Sequence, residues 1–192
     1  MSITIGLLRH GQTDWNLQTR LQGISDIELN EEGKRQAISA GRNLNISDWN
    51  SIASSPLKRA RQTAALVNES LNFSAVEVIP RLLERNFGIA EGLTYVEWRE
   101  KYGSAIQAPG SETVEDLTVR SLALLAEFET LPSGSKLLAV SHGALIRRVV
   151  SVVSDGAYPG EGDRFENLSL SILRFTNGNW AIQNFDPKTI AS

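Results

Sequence analysis

The 192-residue sequence predicts an α/β fold, a three-layer sandwich whose mainly parallel sheet has helices on both faces and an antiparallel hairpin at its carboxyl end. Three observations carry this. Apolar runs of strand length alternate with segments whose apolar residues recur at helical spacing, the pattern of successive βαβ units. Two of the runs break into the same kind of end, Arg9-His10-Gly11 and Ser141-His142-Gly143, and these hold the only two histidines in the chain. Open α/β sheets keep their ligands at such carboxyl ends of strands. Finally, Asn177-Gly178 joins two β-rich runs, Leu168 to Phe175 and Trp180 to Phe185, which is a strong signal for a tight hairpin.

The elements follow in order. Ile3 to Leu8 is the first strand, and Gly11 lets the backbone turn or approach a neighbour closely because it lacks a Cβ. Trp15 to Glu28 is polar, punctuated by Gly23, and reads as a loop over the strand end. Asn30 suits an N-cap, Glu31 and Glu32 suit the positive end of a helix dipole, and Ala37, Ala40, Gly41 and Leu44 form a thin apolar stripe. Ser51 to Ser54 is a second strand. Ser55-Pro56 then reads as a cap plus first-turn proline, with Arg59 near the amino end of a helix that buries Ala60, Ala64, Val67 and Leu71. Val76 to Ile79 is a third strand, ended by Pro80, and an irregular stretch runs to Glu91-Gly92. Leu93 to Tyr102 reads as a short helix that shows Tyr95, Trp98 and Tyr102 to the core or to a pocket rim. After Gly103 and Pro109-Gly110, Ser111 or Thr113 can cap a helix with apolar positions Val114, Leu117, Leu124, Leu125, Phe128 and Leu131. Pro132-Ser133-Gly134 stops it. The strand ending at His142, a helix from Ala144 through Val153, a glycine-rich loop from Gly156 to Gly162 and the hairpin complete the chain. Nothing repeats and no linker intervenes, so a single domain over residues 1–192 is expected, with the strands ending at Arg9 and His142 as neighbours.

Composition excludes several classes. A chain of this length can bury roughly 70% of its unfolded surface in one core. The net charge of −3 and the mixing of signs argue against nucleic acid as a partner. With no cysteine there are neither disulfides nor thiolate metal sites. The opening apolar run lacks a basic flank and a cleavage site and is far too short to span a membrane, so a cytoplasmic protein without membrane partners is expected. The hairpin leaves an edge on which a homodimer could form.

Four motifs carry the chemistry: Arg9-His10-Gly11, Ser55-Pro56-Leu57-Lys58-Arg59-Ala60, Glu84 within Leu83-Glu84-Arg85-Asn86-Phe87-Gly88, and Ser141-His142-Gly143. In type and order they resemble the histidine phosphatase superfamily, the phosphoglycerate-mutase-like group. The match extends to Thr13, Trp15-Asn16, Gln22-Gly23, Leu29 to Gly33, Gln62-Thr63-Ala64, Glu91-Gly92 and Gly110-Ser111-Glu112, most of the chain to about Val149.

The resemblance implies that His10 is a nucleophile which takes a phosphoryl group and loses it to water, a role for which imidazole is chemically suited. It implies Arg9 and Arg59 as planar clamps on the phosphoryl oxygens, His142 as a further contact, and Glu84 as the acid that protonates the departing oxygen. Asn16 and the amide of Gly143 are expected to touch the phosphoryl group, the latter as a helix-start donor. Gln22, Gly23, Tyr95, Trp98 and Glu112 are candidates for the substrate side. Two arginines plus a protonated His142 would balance a dianion, so no metal and no cofactor is required, and activity is expected to withstand a chelator. Ala90 departs from the large aromatic residue frequent before the Glu-Gly pair.

The segment from Leu93 to Lys136 is shorter than the insertion the resemblance implies for glycolytic mutases, which need more enclosing structure, so a phosphatase of a small phosphomonoester is favoured over a cofactor-primed phosphoglycerate mutase. A non-catalytic phospho-ligand-binding module is the alternative from another class. A two-histidine metal site is disfavoured by the arginine beside His10.

Overall fold

The structure, a computed structural model, describes residues 1–103 and 108–191. Six strands form one sheet: β1 (Ser2–Arg9), β2 (Ser51–Ser54), β3 (Val76–Val78), β4 (Lys136–Ser141), β5 (Ser169–Thr176) and β6 (Asn179–Thr189), in the spatial order β3-β2-β4-β1-β5-β6. The first four run parallel, and β5 and β6 add antiparallel partners beyond β1. The hairpin turn has φ of 53° at Asn177 and 82° at Gly178, the left-handed pair that a twist-matched two-residue turn requires. β1 and β4 are direct neighbours with Arg9 opposite Ser141, so the two motif-bearing strand ends meet.

Strand alternation sorts the core into two layers. Ile3, Ile5 and Leu7 of β1 and Leu137 and Ala139 of β4 face α5 (Val114–Glu129) and α6 (Gly143–Val153), packing with Leu117, Leu124, Phe128, Leu145, Ile146 and Val149. Leu8, Leu138 and Val140 point the other way, onto α2 (Glu31–Asn43) and α3 (Lys58–Leu71), against Ala37, Ala40, Ala60, Ala64, Val67 and Leu71. The small residues predicted to line α2 and α3 let both helices lie close to the sheet. Gly6 shares that face because an added Cβ there would stand 2.3 Å from the Trp49 ring.

Two local expectations are corrected and one choice between caps is decided. The stretch after Gln12 is not all loop: α1 (Asp14–Leu17) is a one-turn helix closed by a capping box in which Thr13 Oγ1 accepts from the Asn16 amide and Asn16 Oδ1 accepts from the Thr13 amide. α3 starts at Lys58 rather than at Ser55-Pro56, and its leading residue, Leu57, offers no side-chain cap. The Lys58 amide donates instead to Asp26 Oδ1 at 2.6 Å, a cap supplied from the preceding loop, which frees Ser55 for another use. Of the two caps weighed for α5, Thr113 is the one used, accepting from the Asp116 amide, and Ser111 donates to the Ala108 carbonyl. α4 (Tyr95–Tyr102) ends at Gly103, as its sequence predicted, and is capped by Thr94. No described helix is long and apolar enough to cross a membrane.

Candidate active site

The parallel register delivers His10 and His142 to one place. Their ring centroids are 5.1 Å apart with planes inclined at 58°, and both side chains are buried. His10 extends the β1 ladder through its amide, which donates to the Ser141 carbonyl. Its Nδ1 lies 2.7 Å from the Gly11 carbonyl oxygen. A carbonyl can only accept, so Nδ1 holds the proton and Nε2 is left with a bare lone pair. Gly11 has no room for a side chain: a Cβ would stand 2.6 Å from the Gly33 carbonyl oxygen at the start of α2. Its amide donates to Thr63 Oγ1, which in turn donates to the Arg59 carbonyl, tying the His10 loop to the helix that carries the second guanidinium.

Arg59 is fully buried and donates to the carbonyls of Gly23 at 2.7 Å and Ser25 at 2.8 Å. Those carbonyls are held in turn by Glu91, whose carboxylate accepts from the amides of Ile24, Ser25 and Phe87 and from the Ser25 hydroxyl. Burial pulls the Arg59 guanidinium down to about 10 against the opposing pull of Glu84, so it stays cationic at neutral pH. Arg9 donates to the Phe165 carbonyl and lies against Gly143, where a Cβ would come within 3.6 Å of its Nε.

Glu84 is not the exposed partner of Arg81 or Arg85. Its Oε1 accepts from the amides of Arg85 and Leu145 and its Oε2 from the amide of Ala144, which docks the carboxyl group on the first turn of α6. Asn16 Oδ1 takes Thr13 N–H, Thr13 O–H and, at 3.4 Å, Asn167 Nδ2–H, so its own Nδ2 is the end left for a ligand.

Arg9, His10, Asn16, Gln22, Gly23, Arg59, Glu84 and Gly143 all border one cavity of about 400 Å³, together with Tyr95 and Trp98. His142 stands behind the wall, its ring wholly buried with Nε2 2.7 Å from Ser55 Oγ and Nδ1 unpaired. Glu112 is not on the substrate side. Its carboxylate forms a two-point ion pair with Arg120, which also donates to the carbonyls of Leu83 and Glu84 and so braces the segment that presents the Glu84 carboxyl. Tyr102 is not on the cavity wall either.

The protein's own field keeps both imidazoles neutral. Burial, then Arg59 and Arg9, hold His10 well below the usual histidine range, and burial, then Arg59, His10 and Arg9, do the same to His142. The expectation of a protonated His142 is therefore corrected: burial and the neighbouring guanidinium groups, Arg59 foremost, disfavour a charge on its ring. Sequence reasoning missed Ser55 as a partner of His142, taking it for a helix cap. It also missed Asn167, whose Nδ2 donates to the His10 carbonyl at 2.8 Å from a loop with no motif of its own.

Comparison with known proteins identifies the family. A family model described as the histidine phosphatase superfamily (branch 1) matches residues 5–186. A Bacillus subtilis (strain 168) protein named uncharacterized phosphatase PhoE is 39% identical over 94% of this chain and 92% of its own. The metal-independent phosphoserine phosphatase of Arabidopsis thaliana is 28% identical over 94% of this chain and 80% of its own. Among solved structures, a mycobacterial glucosyl-3-phosphoglycerate phosphatase in complex with VO3 matches with a TM-score of 0.82 and 27% identity, over 96% of this chain and 99% of that one. The chain belongs to branch 1 of the histidine phosphatase superfamily.

Proposed function

We propose that this phosphatase hydrolyses small phosphomonoesters through a phosphohistidine on His10. The observation that carries the reading is the unpartnered Nε2 of a neutral His10, bordering a cavity that also presents the guanidinium groups of Arg9 and the buried Arg59 and a carboxyl group. The Nε2 lone pair attacks phosphorus as the bond from phosphorus to the ester oxygen breaks, and the positive charge that develops on the ring is shared through Nδ1–H with the Gly11 carbonyl. Glu84 gives its proton to the departing oxygen. In the second step the Glu84 carboxylate takes a proton from water, whose oxygen displaces the phosphoryl group from nitrogen and returns His10 to its neutral form. Oε2 of Glu84 receives one amide hydrogen bond, which leaves it a position for that proton.

Arg9 and Arg59 offset the two negative charges of the phosphoryl group. At about 4 Å each is worth on the order of 4 kcal/mol at an effective dielectric of 20, before desolvation is subtracted. Asn16 Nδ2 and the Gly143 amide contribute neutral donors. His142 acts from behind through the rigid contact of the two rings. The relatives named for phosphoserine and glucosyl-3-phosphoglycerate support a soluble organic ester as substrate.

Acid quenching during turnover is expected to trap a labile phosphoryl adduct on His10, with phosphate released from a panel of phosphomonoesters. Tight ester binding with neither adduct nor phosphate would mark a binding module instead. Primer-dependent interconversion of 2- and 3-phosphoglycerate without phosphate release would mark a mutase.

A further inference from the structure

The cavity wall carries more positive charge than a phosphoryl group offsets. Four guanidinium groups, Arg9, Arg20, Arg59 and Arg147, border it against the single carboxylate of Glu84. With Arg9 and Arg59 assigned to a phosphoryl dianion, Arg20 and Arg147 are the further cations on the wall.

The two remaining arginines differ in how far they are already committed. Arg20 donates to Gln18 Oε1 at 2.9 Å and to the Gly92 carbonyl at 2.6 Å, and Glu97 stands 4.0 Å away. Arg147 makes no ion pair among the described residues. One terminal nitrogen donates to the Asp163 carbonyl, and the guanidinium lies over the Phe165 ring, 5.5 Å from its centroid. The Asp163 carboxylate, its acidic neighbour, accepts from the Gly160 amide. Stacking of this kind fixes the guanidinium plane and leaves edge donors for a planar anion.

Position adds a length scale. Gly143, whose amide serves the phosphoryl end, opens α6, and Arg147 lies four residues later on the same helix face. The axial rise between them is roughly 6 Å. Both border the cavity, whose wall also includes the apolar and aromatic side chains of Leu21, Phe87 and Trp98. Such a wall suits a short carbon chain rather than a second hydrated group along the way. Arg147 and Tyr95 also border an adjoining cavity of about 770 Å³, so the arginine stands where a substrate would leave the inner chamber.

The geometry points to Arg147 as the anchor of a second anionic group, a carboxylate carried a few bonds from the phosphoryl group, so that acidic phosphomonoesters are the preferred substrate class. The claim rests on the phosphatase reading for turnover but not for binding, and the test separates the two. Calorimetric titration of the whole protein with 3-phosphonopropanoate and with propylphosphonate, neither of which can be hydrolysed, compares ligands that differ in the terminal carboxylate.

The carboxylate ligand is expected to bind roughly tenfold to a hundredfold tighter, the worth of a charge-assisted contact. That ratio should fall to near one in Arg147→Gln and be partly kept in Arg147→Lys. Equal affinities in the unaltered protein would overturn the proposal. So would a ratio that persists in Arg147→Gln, including the case in which both ligands weaken together, because the arginine would then act on the phosphoryl end or on the loop carrying Asp163. Failure to form a His10 adduct from any ester would sink the catalytic reading and leave the affinity ratio as a separate result.

Discussion

The proposed nucleophile, His10, is prepared by a single hydrogen bond. Because the Gly11 carbonyl fixes the proton on Nδ1 of His10, the reactive lone pair is set by backbone geometry rather than by a neighbouring carboxylate. Glu84 is prepared differently, by amide donors on two chain segments that hold the carboxyl group beside the cavity. If it supplies the proton, Glu84→Gln should slow hydrolysis of alkyl phosphates by roughly 10²-fold to 10⁴-fold and that of an activated aryl phosphate far less. Steady-state rates on the two substrate types decide this, and equal losses would remove Glu84 from the role.

If Ser55 acts by positioning His142, to which it is hydrogen-bonded, Ser55→Ala should lower kcat more than it raises KM, with Thr at that position restoring most of the loss. A fall in melting temperature with unchanged kcat would make Ser55 merely structural. The histidines, arginines and Glu84 were legible because each stands in a short motif whose order along the chain is distinctive. Ser55 and Asn167 were not, because their roles arise only when the chain returns: Ser55 meets His142 from 87 residues away, and Asn167 reaches the His10 carbonyl across 157.

At the scale of elements, the site depends on how closely backbones approach. Gly11 and Gly33 bring the end of β1 against the start of α2, and a Cβ at Gly33 would stand 2.0 Å from the Gln12 carbonyl oxygen. Gly11 was read as a turn or a close approach, and the contact decides for the second, since Gly11 is not among the positive-φ residues. Gly11→Ala must therefore push α2 away or tilt the His10 loop, a strain of about 1–3 kcal/mol. Urea unfolding should show that loss, and kcat should fall with it because the Gly11 carbonyl orients the imidazole. Unchanged stability would mean that the contact yields freely.

The strands and long helices were legible from alternation and helical spacing, which local burial enforces. The start of α3 was misread because its cap, Asp26, comes from outside the helix, and no local pattern announces an acceptor thirty-two residues back. The one-turn helix α1 was missed because four residues give too little periodicity to rise above a polar loop.

For the whole molecule, sheet order and charge placement are linked. Placing β4 beside β1 brings Arg9 and both histidines together, α3 adds Arg59 to the same cavity wall, and the antiparallel pair β5 and β6 extends the sheet beyond β1. Burying neutral imidazoles beside guanidinium groups has a consequence for stability. Both histidines are held well below the value of about 6.5 expected in the unfolded chain. In the window below that value the unfolded state binds protons that the folded state does not, so stability rises with pH through the window and is lost as pH falls.

Two such protons correspond to a slope of up to about 2.7 kcal/mol per pH unit, well above the range in which ordinary carboxylates titrate. Urea unfolding between pH 7.5 and pH 5 should show this decline setting in near pH 6.5, and His142→Gln, compared with the parent protein, should show a shallower slope over the same interval. Stability that stays level down to pH 5 would mean that the two imidazoles titrate alike in the folded and unfolded chain. The premise that His10 is a neutral nucleophile at neutral pH would then fail with it.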